Sequence, residues 1–383
     1  MKISAAILRQ SSLTHPYASS RPLRIESIEL DPPGPGEVLV RIVAAGLCHS
    51  DLSVINGDRP RPLPMALGHE AAGIVEALGP GGDACEVDAL AVGDHVVMVF
   101  MPSCGHCLPC AEGRPALCGP GAVANGAGVL LGGGARLRDA NGGAIHHHLG
   151  CSAFATHAVV SRRSLVKVAH DLPLEEAALF GCAVLTGVGA AVNTAGVRAG
   201  QTVAVVGLGG VGLAAVLGAL AAGAAQVIAI DLLPEKLALA RALGATGTVM
   251  AGPDAAEAVR AITAGGCDVV LEMAGSVGAL SAAMAMTRRG GVTVTAGLPP
   301  AGAALPVDVA ALVAEERTLK GSYIGSCVPA RDIPRYVALY RAGRLPVDRL
   351  VSGHLTLADI NEGFDALHAG HAVRQIVQMG DPG

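Results

Sequence analysis

The sequence predicts an α/β protein in two domains, one rich in short strands and one built on a doubly wound parallel sheet. Three observations predict it. Between 38 and about 157 the apolar runs, at 38–45, 72–78 and 95–100, are short and broken by Gly and Pro, which marks a β-rich domain. From about 185 to 323, strand and helix alternate, with apolar strands at 203–206, 227–230, 268–272, 292–296 and 318–322. That alternation makes an open parallel sheet covered by helices on both faces. Finally, Cys104, Cys107, Cys110 and Cys118 follow the spacing C-x2-C-x2-C-x7-C within a chain that has only 10 cysteines in 383 residues. Such a cluster is a closed thiolate set suited to one tetrahedral structural Zn²⁺.

The elements can be justified in order. The start, residues 1–10, carries too short an apolar stretch before Arg9 for a secretory signal and no cleavage pattern, so a cytoplasmic location is expected. There, reduced thiols suit metal binding better than disulfides. The stretch 119–150 is glycine-rich and reads as a long loop. Residues 203–230 carry no charge, long enough to span a bilayer by hydropathy. A strand, helix and strand buried on both faces explain the run better, and no membrane association is expected. The tail after 323 has too few apolar runs to stand alone and should complete the first domain. A formal net charge of −5 with dispersed Lys and Arg, no Trp and 2% aromatic residues excludes the basic footprint and stacking platforms of a nucleic-acid binder.

The second domain opens on a glycine motif, Gly207-Leu-Gly209-Gly-Val-Gly212, placed between the apolar strand 202–206 and an Ala/Leu-rich helix. Glycines there allow a sharp turn, close approach to a pyrophosphate and tight helix–strand packing, while the helix N-terminus offers free N–H groups. The next strand, 226–230, ends at Asp231, 24 residues past the first glycine. An acidic side chain at that point accepts hydrogen bonds from adenosine ribose hydroxyls. NAD is therefore the expected cofactor, and Asp231 should disfavour the 2′-phosphate of NADP, since Leu232 and Leu233 offer it no positive partner.

Three further ligand-type side chains are scattered: Cys48 in Gly-Leu-Cys-His-Ser-Asp, His69 in Gly-His-Glu, and Cys182 in Gly-Cys-Ala-Val-Leu-Thr-Gly. Two cysteines, a histidine and an open position form the ligand set of a catalytic zinc. Spacing alone does not make them converge. The order of these motifs, the four-cysteine lobe, the glycine motif and its terminal aspartate resembles the zinc-dependent medium-chain alcohol dehydrogenases over essentially the whole chain, closest to the liver-type and class III branch. The resemblance implies a GroES-like catalytic domain, about 1–184 with 324–383, and a Rossmann domain, about 185–323, with the active site in the cleft between them and a homodimeric assembly. It implies two zinc ions per subunit, one structural and one catalytic, the latter held by Cys48, His69 and Cys182. Ser50 would take the alcohol's proton, Asp51 would orient His69, and Glu70 would serve as an alternating ligand. His49 and Arg374 fall where relatives contact the cofactor pyrophosphate, and Lys236 where they contact the adenosine ribose. The substrate pocket would include Phe100, Arg59 and His148.

The chain departs from that pattern in three places. Ser53 stands where liver enzymes end their proton relay in a histidine, so the relay should end in water or at a group such as His49. Class III enzymes carry an acidic residue at the position of Arg59 and an arginine at that of Ala122, the pair that recognises the glutathione adduct, and both are absent. His148 occupies a place given to an aromatic pocket wall, although by composition His146, His147 and His148 read as a solvated loop. Arg59 and Arg61 would make the pocket lip basic, suited to an alcohol carrying a carboxylate. Cys85, Cys151, Cys267 and Cys327 lack ligand spacing and read as incidental thiols. The expected function is reversible hydride transfer between a primary or secondary alcohol and NAD, giving an aldehyde or ketone. The rivals are a non-catalytic NAD- and zinc-binding protein, a glutathione-adduct (formaldehyde) dehydrogenase, and a zinc-free quinone or enone reductase.

Overall fold

The computed structural model describes residues 1–81 and 89–380. Cys85 lies outside them. The chain divides into two compact units, Met1–Cys182 with Val328–Pro334 and Val351–Gly383, and Ala183–Cys327 with Arg335–Leu350.

In the first unit, the strands Lys2–Leu8, Leu23–Leu30, Leu137–Arg138, Ala144–His147 and Met65–Ala66 close into a small barrel. Its interior is filled by Ile3, Ala5, Ile7, Ile28, Leu137 and Ile145, the inward set expected where side chains alternate along a strand. A second sheet runs in the order Leu165–Val168, His95–Met98, Ala71–Leu78, Glu37–Gly46, Arg374–Gln378, Val351–Thr356, with His157–Ser161 also paired to Glu37–Gly46. The tail thus supplies two strands of this sheet.

Register in that sheet positions the chemistry. Glu37–Gly46 and Ala71–Leu78 are antiparallel with Ala45 opposite Ala71, and the Gly46 N–H donates to the Glu70 carbonyl at 2.7 Å. Cys48 and His69 therefore leave the sheet from the same end. On the other side Gly46 faces Ile376 and the Leu47 N–H donates to the Gln375 carbonyl at 3.0 Å, which brings Arg374 to the same place. Gly46 leaves the space that the Glu70 carboxylate occupies, since a Cβ would lie 2.4 Å from Glu70 Oε1 and would displace it.

The expectation of a long loop over 119–150 is corrected. Gly119–Ala127 is an α-helix, and Leu137–Arg138 and Ala144–His147 are barrel strands. Pro lies in the helix's first turn, Cys118 Sγ caps it by accepting the Gly121 N–H at 3.4 Å, and Gly128 ends it at φ +68°. Start and stop signals outweigh the glycine content between them. Burial of Ile145 and Leu137 in the barrel fixes the strands.

The second unit holds a six-stranded parallel sheet in the order Gly247–Met250, Gln226–Asp231, Thr202–Val206, Cys267–Glu272, Thr287–Thr295, Thr318–Gly321. Gly247–Met250 was not anticipated, being short and poor in apolar residues. The uncharged stretch is strand, twelve-residue helix Gly210–Ala221 and strand, and among the described residues no helix is long and apolar enough to cross a membrane. The unit also takes in Arg335–Leu350, which sequence reading assigns to the other domain. Leu345, Val347 and Leu350 are buried there, and the Arg344 and Arg349 guanidinium groups donate to the carbonyls of Ala221 and Ala242 at 3.0 and 2.9 Å.

Candidate metal centres and dinucleotide loop

Cys48, His69 and Cys182 converge, although 134 positions separate the first from the last. Their ligand atoms lie within 4.8 Å of one another, with His69 Nε2 3.4 Å from Cys182 Sγ. All three are buried. The opposite ring nitrogen, His69 Nδ1, lies 3.0 Å from Asp51 Oδ2, so one end of the imidazole meets a carboxylate and the other the sulfur pair. Two soft thiolates and an oriented imidazole suit zinc and leave a fourth position open.

The buried ionisable groups of the site compensate one another. Burial alone would raise Asp51, yet His69 and His148 hold its carboxyl down at about 2. Burial would likewise lower His69, but Asp51 and the Cys48 sulfur push it well above the ordinary histidine range. Cys48 is drawn well below the usual thiol range by a hydrogen bond from Cys182, with Arg374 and His69 helping, and Cys182 is raised by the same contact. Burial pushes Glu70 up to about 7 against the opposing charge of Arg374. The Glu70 Oε2 to Arg374 Nη1 distance is 3.7 Å, and that nitrogen also donates to the Leu47 carbonyl at 2.8 Å. Neither the Glu70–Arg374 pair nor a second histidine on Asp51 is legible from sequence, because each depends on strand register.

The remaining residues are spread around these. His49 is exposed and Ser50 half-buried at the start of the helix His49–Ile55, immediately after Cys48. Ser53 Oγ donates to the His49 carbonyl at 2.9 Å. The Phe100 ring stands edge-on to His69 with centroids 5.4 Å apart. Arg59 and Arg61 are half-buried. The Arg61 guanidinium donates to the Asn125 carbonyl at 3.4 Å, and the Asn125 amide donates to the Phe100 carbonyl at 2.9 Å. His147 and His148 are buried, which corrects the compositional reading of a solvated loop. Burial, with Arg136 and His146, takes His147 down to about 3, and its Nε2 accepts the Arg136 N–H at 3.0 Å. Cys151, Cys267 and Cys327 are buried thiols.

Cys104, Cys107, Cys110 and Cys118 form a second convergent group. Backbone N–H groups point at its sulfurs, from Cys104 and Gly121 to Cys118 at 3.2 and 3.4 Å and from Cys107 to Cys104 at 3.3 Å. The His106 N–H brings Cys104 down to about 6, whereas burial pushes Cys110 up to about 12. Four sulfurs this close repel one another as thiolates unless a cation sits among them. With no open position, the role is structural.

In the second unit, Gly207 turns at φ +89°, where a Cβ would lie 2.7 Å from the Ala274 nitrogen. A Cβ on Gly212 would lie 1.8 Å from the Gly207 carbonyl oxygen, while one on Gly209 would meet nothing within 4 Å. The first and third glycines are thus required by packing, and the second leaves the space a pyrophosphate needs. Gly209 precedes the helix Gly210–Ala221, which has no side-chain cap, so its first N–H groups are available to an anion. Asp231 Oδ2 accepts the Leu208 N–H at 2.6 Å and Oδ1 that of Leu233 at 3.0 Å, and both oxygens keep lone pairs for a ribose diol. Lys236 is half-buried in the helix Pro234–Ala242.

Two metal sites of opposite character, in one chain with a dinucleotide loop, define a zinc- and NAD-dependent oxidoreductase. Residues 34–170 match the family model described as alcohol dehydrogenase GroES-like domain, and 210–342 that described as zinc-binding dehydrogenase. A class-3 alcohol dehydrogenase of Myxine glutinosa is 38% identical over 370 residues, covering 95% of this chain and 96% of its own. Among solved structures, an alcohol dehydrogenase zinc-binding domain protein from Burkholderia ambifaria superposes with a TM-score of 0.91 at 38% identity, covering 99% of both chains. Benzyl alcohol dehydrogenase from Acinetobacter calcoaceticus gives 0.91 at 33%, covering 99% of this chain and 100% of its own. The chain belongs to the zinc-dependent medium-chain alcohol dehydrogenase family.

Metal analysis of the purified protein should give two zinc ions per chain. A chelator should remove the ion at Cys48, His69 and Cys182 first, abolishing activity before unfolding begins, because only that site has an exchangeable position. A single zinc in fully active protein would contradict this. Asp231→Ala should weaken both nicotinamide cofactors, since the loop loses its anchor at Leu208, and should shift the ratio of kcat/KM toward NADP⁺. An unmoved ratio would remove Asp231 from cofactor choice.

Proposed function

We propose that the protein oxidises a primary or secondary alcohol to its aldehyde or ketone with NAD⁺, reversibly, using Cys48, His69 and Cys182 as the catalytic zinc ligands. The observation that carries this is the buried Cys₂His set with Asp51 behind the histidine. Bound there, zinc supplies Lewis acidity toward the alcohol oxygen, while NAD⁺ accepts the hydride. Ser50 Oγ, two residues from Cys48, takes the hydroxyl proton. Ser53 Oγ is engaged with the His49 carbonyl and cannot act as a base, so the proton leaves through water or exposed His49. His49 and Arg374 would contact the cofactor phosphates in this reading, Lys236 the ribose, and Glu70 would serve as an alternating ligand of the zinc. The thiolate sites suit the reducing cytoplasm.

Phe100 against His69 supports an apolar inner wall, suited to an aliphatic or benzylic alcohol. The replacement of the adduct-recognising pair by Arg59 and Ala122 argues against glutathione-dependent formaldehyde oxidation. Arg61, tied through Asn125 to the backbone of Phe100, favours a second reading in which a basic lip receives an alcohol bearing a carboxylate, for which arginine's planar fork is suited.

The assembly we infer is a homodimer formed through the sheet of the second unit. Thr318–Gly321 is an edge strand exposed along its whole length, and Leu298, Val309, Val313 and Leu319 are exposed near it in sequence. An edge strand with open backbone N–H and C=O groups can pair with the same strand of a second copy, and the exposed apolar side chains would be covered there.

A screen of alcohols with NAD⁺, followed by absorbance of the reduced cofactor, tests the activity, and pairing each ω-hydroxy acid with its uncharged alkanol tests the lip. Benzylic or aliphatic alcohols should be turned over. If the acid has no KM advantage that Arg59→Ala abolishes, the arginines are bystanders, and no turnover of any alcohol would leave a binding protein. Leu319→Lys should convert a dimer to a monomer by light scattering, and an unchanged mass would move the interface elsewhere.

A further inference from the structure

The buried Asp51 carboxylate divides its oxygens between two histidines. Oδ2 lies 3.0 Å from His69 Nδ1, whereas Oδ1 accepts the Gly68 N–H at 3.0 Å and lies 3.0 Å from His148 Nδ1. His148 is 1% exposed, and its ring meets that of His69 edge-on with centroids 5.5 Å apart. A carboxylate only accepts, so a hydrogen bond across this 3.0 Å approach requires the His148 proton on Nδ1.

The backbone holds His148 in place. Ala144–His147 runs parallel to Met65–Ala66, with Ala66 opposite His147, so the chain delivers His148 beside the segment leading to Gly68 and His69. The His148 N–H donates to Ser152 Oγ at 3.1 Å, and that hydroxyl also lies 3.3 Å from His147 Nδ1. His147 is bound in turn to the Arg136 backbone. A ring fixed this firmly can set the orientation of the group it touches.

We propose that His148 is a positioning residue for the catalytic metal: by holding Asp51 Oδ1 it fixes the plane of the carboxylate, so that Oδ2 meets His69 Nδ1 and His69 Nε2 is aimed at the ion. The proposal rests on the reading of Cys48, His69 and Cys182 as a zinc site. A histidine that merely fills a pocket wall would be replaceable by any ring of its size.

The test uses zinc-loaded full-length protein and a chromogenic chelator, 4-(2-pyridylazo)resorcinol, to time the release of each ion. Asparagine carries an amide nitrogen where histidine has Nδ1, and glutamine one where it has Nε2. His148→Gln and His148→Phe should release the more labile zinc about tenfold faster, in line with the loss of an outer partner of a metal ligand, while His148→Asn stays near wild type. Release from the thiolate lobe should not change. In cobalt-substituted protein the visible bands of the labile site should shift in the glutamine variant and not in the asparagine one. If His148→Phe does not fold, the asparagine and glutamine variants, close in size and polarity, still decide. Equal release from wild type, Asn and Gln would overturn the proposal and leave the zinc site standing. Absence of any labile zinc in the wild type would overturn both.

Discussion

The antiparallel register between Glu37–Gly46 and Ala71–Leu78 is the constraint on which the chemistry depends. A shift of one residue would turn every side chain of one strand to the other face and separate Cys48 from His69. The register is held by the buried alternation of Val38, Val40, Ile42 and Ala44 against Ala72 and Val75. The pairing of Gly46 with Ile376 adds the third strand. Three segments far apart in sequence thereby deliver Cys48, His69 and Arg374 to one point, where a buried aspartate and arginine compensate charge that apolar surroundings alone would not tolerate.

The two metal sites rely on different physics. The four-cysteine lobe is local: its ligands lie within one short segment, and backbone N–H groups turned at the sulfurs stabilise negative charge wherever the chain folds tightly. The Cys₂His site is global, assembled by a sheet, and surrounded by Asp51, Glu70, Arg374 and His148, all buried. Closed coordination suits the first to holding a loop together. An open position suits the second to exchange.

What could be read from sequence follows the same division. The thiolate spacing and the glycine motif with Asp231 are local patterns with their own geometric logic, and both were legible without tertiary information. So were most strands of the parallel sheet, since strands buried on both faces read as apolar runs. Cys48, His69 and Cys182 stood out in the sequence as ligand-type side chains, but only the family resemblance joined them into one site, because isolated cysteines and histidines carry no spacing signal. The contacts of His148 with Asp51 and of Arg374 with Glu70 stayed hidden because they join residues whose separation says nothing about contact. The helix Gly119–Ala127 was missed for a compositional reason, its glycines masking a start set by Pro120 and the Cys118 sulfur.

The packing of Glu70 on Gly46 has a consequence for how such a protein can diversify. A side chain at Gly46 would displace the Glu70 carboxylate, so the turn that carries Cys48 and the residue after His69 are constrained together. Phe100 and the loop bearing Arg59 and Arg61 lie outside that contact. New substrate preferences can therefore arise by exchange of side chains there while the metal ligands stay where they are, which separates the part of the chain that can vary from the part that must persist.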